Sequence, residues 1–259
     1  MTAERLVGYA REGRAGVVTL DSPGNRNALS TPLLQQLQLA LRTAQEDPAA
    51  RVVVLSHTGT TFCAGADFRE QEAARARTGR SPGAGGLAPI LEMLMDCPKP
   101  VVARVAGAVR GGGMGLLAAC DLAVADTTST FAFSEVRVGV APAVIAPAVL
   151  ARMAPSRARE LFLTGRVFSA AEALDAGLLT RVTEAGELPG AVTELVSELV
   201  AGAPGAQAEA KWLLARVPRL ERTQALAEMV ALSERLFSAA EAQEGISAFR
   251  ERRPPSWSG

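Results

Sequence analysis

The chain has 259 residues, 48% of them hydrophobic and 21% charged, with 27 basic against 27 acidic side chains and a formal net charge of +0. That length buries one large α/β core or two small ones, and the charge balance leaves no footprint for nucleic acid or an anionic membrane surface. The opening segment MTAERLVGYAREGRAG lacks the apolar core of a secretory signal, and no apolar run nears the roughly 18 residues of a membrane span, so a soluble cytoplasmic protein with no membrane partner is expected.

AGVVTLD (15 to 21) and RVVVLSHTG (51 to 59) are β-branched runs that end in turn residues, which predicts two strands buried on both faces. Between them the sequence predicts a helix with Ser30 or Thr31 as N-cap, Pro32 in the first turn, a stripe of Leu33, Leu34, Leu37 and Leu41, and Pro48 beyond the end. Together they form a β-α-β crossover. The stretch from Glu70 to Leu87, with TGRSPGAGG inside it, has no apolar period and reads as a short helix followed by a mobile surface loop suited to act as a lid. KPVVARVAG (99 to 107) predicts a strand, MGLLAACD a short apolar helix, LAVAD (122 to 126) another strand, and STFAFSE (129 to 135) a further extended piece. Helices are expected over 143 to 153, SRARELFLTG and SAAEALDAG, then a short strand at LLTRVT. From about Leu188 to Arg253 the pattern is helical, broken at AGAPG and Pro218 and stopped by Pro254 and Pro255. The division is a β/α part over 1–187 and a helical part over 188–259, the latter either a small domain or an arm covering another subunit.

Cys63, Cys97 and Cys120 are an odd number without a CxxC pair and lie in or beside apolar runs, so reduced, packed thiols are expected and no metal site. The one histidine, His57, ends a predicted strand. A catalytic triad around it would lack a GxSxG elbow, which favours a packed strand-end side chain.

GGGMG at 111 to 115 raises the question of a phosphate cradle. RGGGMGLLAACDLAVAD does not keep the spacing of a dinucleotide fingerprint, its acidic Asp121 comes too early, and no Gly-Lys-Ser/Thr follows, so neither a nicotinamide cofactor nor a Walker loop fits. What remains is a strand-to-helix turn with bare backbone N–H groups at a helix start, the makings of an oxyanion site. TFCAGADFRE (61 to 70) offers a second turn of the same kind, so two helix starts can converge on one oxygen.

LDSPGNRNALS, FCAGADFRE, AGAVRGGGMGLLAACDLAVAD, FAFSEVRVGVAP and EGISAFRERR, in that order over about residues 5 to 253, resemble the successive blocks of the crotonase, or enoyl-CoA hydratase/isomerase, superfamily. The resemblance implies an α/β fold, a spiral of ββα units with a helical C-terminal trimerisation region, a homotrimer or a hexamer built as a dimer of trimers, an acyl-CoA thioester substrate, and no cofactor beyond the coenzyme A that the substrate carries. Position by position it implies that the amides of Ala66 and Gly112 hold the thioester oxygen, beside Gly111 and Gly115, and that Glu135 is the general acid/base. It also implies that the carbonyl of Ala64 meets the adenine, that Arg26 and Arg69 reach phosphates, and that Phe249 and Arg252 touch coenzyme A, often from a neighbouring subunit.

In hydratases of this family a second glutamate commonly stands on the helix after the glycine cluster, where this chain has Gly115. A lone Glu135 can serve a hydratase, which leads, or a 3-enoyl to 2-enoyl isomerase, with a non-catalytic acyl-CoA-binding protein as a third possibility. The look of FSEVRVGVAPAVIAPAVL is similar to bacterial hydratases of branched, carboxylated enoyl-CoAs of the methylglutaconyl-CoA type. Glu135 sits between apolar stretches, where desolvation raises a carboxyl pKa, unless Arg137 or Arg110 pairs with it. Asp67, counted among the substrate-binding residues, Glu70 and Glu92 are the other acids near these blocks, each also suited to a solvated or helix-start charge. The segment near Pro142 to Pro147 is expected to help set the depth of the acyl pocket.

Overall fold

The computed structural model describes residues 4–79 and 85–258. The chain runs β1 (Val7–Glu12), β2 (Ala15–Leu20), α1 (Thr31–Glu46), β3 (Val52–His57), β4 (Thr61–Cys63), α2 (Phe68–Thr78) and α3 (Ala88–Met95). It continues through β5 (Val101–Val105), β6 (Ala108–Arg110), α4 (Gly112–Ala119), β7 (Leu122–Asp126), β8 (Thr130–Ala132), α5 (Ala146–Leu150), α6 (Pro155–Thr164), β9 (Phe168–Ser169), α7 (Ala170–Asp175) and β10 (Arg181–Thr183). The helices α8 (Leu188–Val200), α9 (Pro204–Arg216), α10 (Arg222–Phe237) and α11 (Ala240–Glu251) end it.

Two sheets organise these elements. The large one has the order β1-β2-β3-β5-β7-β10, with β1 antiparallel to β2 and the remaining pairs parallel. The small one has the order β4-β6-β8-β9, its first three strands parallel. Each of β3, β5 and β7 lies in the large sheet and passes through a short corner into β4, β6 or β8 of the small one. A helix follows twice and a 3-10 turn the third time, so the chain winds as a spiral of ββα units, as the resemblance implied.

Burial explains the strand sequences. Val53, Leu55, Val101, Ala103 and Ala123 face a core built with α1, α3 and α4, while Val52, Val54, Val102 and Val124 face Leu188, Val192 and Leu195 of α8 on the other side. A strand sandwiched between two apolar layers needs unbroken β-branched runs, which is what RVVVL and PVV supply. The helix after β2 begins as expected, with Ser30 Oγ accepting from Leu33 N at 3.4 Å and Leu33, Leu37 and Leu41 buried. The three cysteines are buried and free, and burial pushes the Cys63 and Cys120 thiols up to about 12.

Three strands escaped the sequence reading, while the strand expected at the start of TFCAGADFRE is β4. β1 is an edge strand whose outer half is exposed, and β6 and β9 are two or three residues long, too short to show a period. The stretch from Glu70 to Leu87, expected to be mainly loop, is helical as far as Thr78, and the middle of the expected lid, 80–84, lies outside the described residues.

Candidate active site

Three neighbouring strands of the small sheet end side by side. β4 leads into Ala64-Gly65-Ala66, β6 into Gly111-Gly112, and β8 into Phe133-Ser134-Glu135, with Cys63 level with Val109 and Arg110 level with Ala132. The parallel ladder therefore delivers the two glycine turns and the glutamate to one edge.

There the backbones touch. Gly65 has φ +89 and Gly111 φ +50, the left-handed region that glycine adopts without steric penalty. A Cβ placed on Gly65 would stand 3.2 Å from the Arg110 carbonyl oxygen and 3.5 Å from the Gly111 Cα, and one placed on Gly111 would stand 3.5 Å from Glu135 Oε1. The rest of the glycine cluster serves close approach too. A Cβ on Gly112 would lie 2.6 Å from Leu29 Cδ1 and one on Gly113 2.7 Å from the Cys63 Cβ, well inside ordinary contact. Gly115 is buried, its Cβ position 2.9 Å from the Ile145 Cβ and closer still to Cγ2, so Ile145 fills the space that any side chain at 115 would enter.

Hydrogen bonds hold the turns but leave two amides unused. Leu29 N donates to Gly65 O at 2.7 Å, Ala64 N to Arg26 O at 3.0 Å and Gly111 N to Ala132 O at 3.2 Å. Ala66 forms an isolated parallel bridge with Leu29. Among the described residues, the amides of Ala66 and Gly112 have no acceptor. Asn27 braces the first turn: fully buried at φ +53, it donates Nδ2 to Thr61 O at 2.7 Å and Thr58 O at 3.1 Å and accepts from Ser22 N at 2.8 Å. Its only trace in the sequence is an asparagine just after a Pro-Gly turn, the residue type that best tolerates positive φ after glycine.

Glu135 stands in a 3-10 turn over Ser134–Val138, half-buried, with Oε2 buried and without a partner among the described residues. Burial raises its carboxyl pKa. Neither basic neighbour pairs with it: Arg137 Nε donates to Gly165 O at 2.9 Å, and Arg110 turns to Thr130, donating to its O at 2.6 Å and its Oγ1 at 2.9 Å.

The remaining candidates lie around or away from this edge. Ala64 is half-buried, and exposed Arg26 adjoins it through the bond already named. Asp67 caps α2, accepting from Arg69 N at 3.0 Å and Glu70 N at 3.2 Å, while Arg69 is exposed. Glu70 is a clip, its Oε2 accepting from Thr31 N at 2.8 Å. Pro142 is buried in the segment after Glu135. Phe249 (86% exposed) and Arg252, at the end of α11, are not brought to the edge in this chain. Their region is fixed at the start of β3, where Trp257 Nε1 donates to Ala201 O at 3.2 Å and Arg51 to Trp257 O at 2.9 Å. Among the described residues no group of His, Cys, Asp and Glu is arranged to hold a metal, and no helix is long and apolar enough to cross a membrane.

The spiral of ββα units and the meeting of its glycine turns define a crotonase-like class of fold, and comparison with known proteins gives the family. The model for enoyl-CoA hydratase/isomerase matches residues 11–259, and the chain belongs to that family, an enzyme of the crotonase superfamily. It is 31% identical to the enoyl-CoA isomerase/hydratase fer4 of Mycosarcoma maydis, over 93% of this chain and 92% of that one. It is also similar to the solved enoyl-CoA hydratase of Mycobacterium smegmatis, at 32% identity and TM-score 0.88 over 99% and 100% of the two chains. To that of Mycobacterium avium it is 40% identical, with TM-score 0.73 over 98% and 99%.

Proposed function

We propose that the protein hydrates the conjugated double bond of a 2-enoyl-CoA thioester, with the amides of Ala66 and Gly112 as oxyanion donors and Glu135 as the acid/base. The observation that carries this reading is the meeting of Gly65, Gly111 and the Glu135 carboxyl, whose Oε2 has no partner among the described residues, at adjacent strand ends. The thioester oxygen accepts from both amides. The Glu135 carboxylate takes a proton from water as its oxygen bonds to C3, the C2–C3 π electrons move toward the carbonyl, and negative charge collects on the held oxygen. Glu135, now protonated, returns the proton to C2 and is again a carboxylate. Each preorganised amide lowers the barrier by about 3 to 4 kcal/mol, since it needs no solvent rearrangement.

A second reading is favoured by Ile145 over Gly115, which leaves a single carboxyl at the edge: moving one proton from C4 to C2 of a 3-enoyl-CoA needs only one base. Two ultraviolet assays separate the readings. Loss of enone absorbance from a 2-enoyl-CoA marks water addition, and a gain from a 3-enoyl-CoA marks bond migration. No change in either, with Glu135→Gln indistinguishable from the parent, defeats both.

The apolar outer face of the C-terminal helices, with Leu214, Leu226, Val230 and Phe237 more than half exposed, supports a homotrimer or a hexamer of two trimers. In such an assembly Phe249 and Arg252 serve the coenzyme A site of a neighbour, with Ala64, Arg26 and Arg69 of the first chain at its other side. A cytoplasmic site of action completes the reading.

A further inference from the structure

His57, the single histidine, is the last residue of β3, where the chain turns the corner into β4. Ala106 N donates to its Nε2 at 3.1 Å, so that nitrogen is unprotonated and the ring hydrogen sits on Nδ1, 3.2 Å from Thr58 O. The ring stands edge-on to Phe62, with centroids 5.5 Å apart. Ala106 belongs to the next corner, between β5 and β6. That corner is tied in turn to the third: Gly107 N donates to Ser129 Oγ at 3.1 Å, and Ser129 Oγ donates to Asp126 Oδ1 at 2.9 Å. The three corners thus form a rack at the starts of β4, β6 and β8, one short strand away from Ala66, Gly112 and Glu135. The ladder between β4 and β6 is weak, with two aligned pairs and a register shift between them. Beside the long Ala108 N to Thr60 O bond of 3.4 Å between the same two strand starts, the rack is therefore a main tie on their spacing.

We propose that His57 is a positioning residue: as a neutral imidazole accepting the Ala106 amide, it fixes β4 against β6 and so sets the Ala66 and Gly112 amides relative to each other. This rests on the oxyanion reading of those amides. The charged groups facing the ring are Arg104 of β5, whose Nε donates to Ser56 Oγ at 2.9 Å, and Asp126 of β7. Burial is the main cause that lowers the imidazole pKa, with Arg104 adding to it and the Thr58 carbonyl, Asp126 and the Thr61 carbonyl opposing. A proton on Nε2 would set two N–H groups against each other and undo the tie.

Because there is one histidine, long-range proton-nitrogen NMR of the full chain reads its state without assignment. A neutral ring protonated on Nδ1 at neutral pH is expected, and a ring protonated on Nε2 overturns the proposal. Glutamine carries an oxygen at about the reach of Nε2; leucine carries no acceptor. For His57→Leu we expect kcat to fall by about ten- to a hundredfold with KM near the parent value, as for a small misplacement of catalytic groups. The red shift of a bound cinnamoyl-CoA, which reports carbonyl polarisation, should shrink with it. His57→Gln should keep most of both. Parent-like kcat and red shift in His57→Leu, or equal impairment of the two variants, overturn the proposal. If His57→Leu does not fold, His57→Gln decides, and loss of the red shift in it is a refutation. Glu135→Gln in the same assays tests the parent reading separately: unchanged turnover there removes the acid/base assignment whatever His57 does.

Discussion

Replacing Gly115 by alanine adds one methyl group in the middle of α4, at a point 2.9 Å from the Ile145 Cβ and nearer still to its Cγ2, against the roughly 3.5 to 4.0 Å of ordinary carbon contacts. Two effects oppose. Alanine is the better helix former by about 1 kcal/mol, while overpacking a filled core costs about 1 to 3 kcal/mol. Ile145 is 2% exposed and Leu91 closes the same space at 3.5 Å, so steric cost wins. We expect Gly115→Ala to destabilise by about 1 kcal/mol, or about 2 to 4 °C in Tm for a chain of this size. Ile145→Ala alone should cost about 2 to 5 kcal/mol through the cavity it leaves. With Cγ2 gone the nearest contact is relieved, and the Cβ that alanine keeps at 145, 2.9 Å away, can yield into the cavity, so Gly115→Ala should become about neutral in the Ile145→Ala background. Urea denaturation of the four proteins, followed by circular dichroism, measures the coupling, expected on the order of 1 to 2 kcal/mol. The same effect of Gly115→Ala in both backgrounds would refute the claim that Ile145 is what excludes a side chain at 115.

Other perturbations test the remaining parts. Glu135→Gln should lower kcat by about 10² to 10⁴-fold, the usual worth of a positioned acid/base. Because burial raises the Glu135 pKa in the folded state, its contribution to stability is present at low pH and is lost as pH rises through that raised value. The glutamine variant should therefore melt at or above the parent temperature at neutral pH, and lower stability there would contradict the desolvated carboxyl. For the same reason kcat should fall on the acid side, below the raised pKa, and a pH–rate profile flat down to the ordinary carboxylate range would count against it. Gly111→Ala forces a side chain to φ +50, ψ −120, at a cost of about 1 to 3 kcal/mol, visible as a lower urea midpoint. Lys211 Nζ lies 2.6 Å from Asp121 Oδ2 and donates to Lys99 O at 3.0 Å, tying α9, which buries no residue, to the core. Lys211→Met removes the ion pair but leaves Asp121 Oδ2 accepting from Val101 N at 2.7 Å, and should cost about 1 to 3 kcal/mol by thermal melting, with part regained by adding Asp121→Asn.

The sequence is legible where one residue's environment repeats along the chain. Val52 to Leu55 and Val101 to Val105 sit between two apolar layers, so their strands are β-branched throughout and readable without the fold. The stripe on α1 and the helices from α6 to α11 are readable for the same reason. The small sheet is legible only in part: β4 and β8 show as extended pieces beside their turns, but β6 and β9 are too short to stand out, and what holds the sheet is pairing between segments far apart in sequence. Glycine turns at 65 and 111 stand out by composition, but their mutual contact does not. The fate of Glu135 was open in the sequence between a buried acid and an ion pair; it is decided by Arg137 and Arg110, which turn to Gly165 and Thr130. Gly115 shows a missing carboxylate, and only the packing shows that Ile145, thirty positions on, has its place.

That exchange bears on why one acid remains at this edge. The Gly111 turn stands beside Glu135 with the start of α4 lying directly on its neighbours: Leu29, Cys63, Leu87 and Ile145 close in on the helix within distances that leave no room for Cβ atoms at 112, 113 and 115. The apolar packing that anchors α4 is thus also what keeps a second carboxylate off it. An acid at 115 would have to displace Ile145 from a buried position, at a cost of more than 1 kcal/mol in packing before any desolvation of the charge. On the proposed reading the proton chemistry at the edge then falls to Glu135, whose Oε2 has no partner among the described residues to compete with substrate or water. A desolvated carboxyl with one oxygen unpartnered is costly to the fold, and its place beside two unused amides is what the proposed acid/base role would account for.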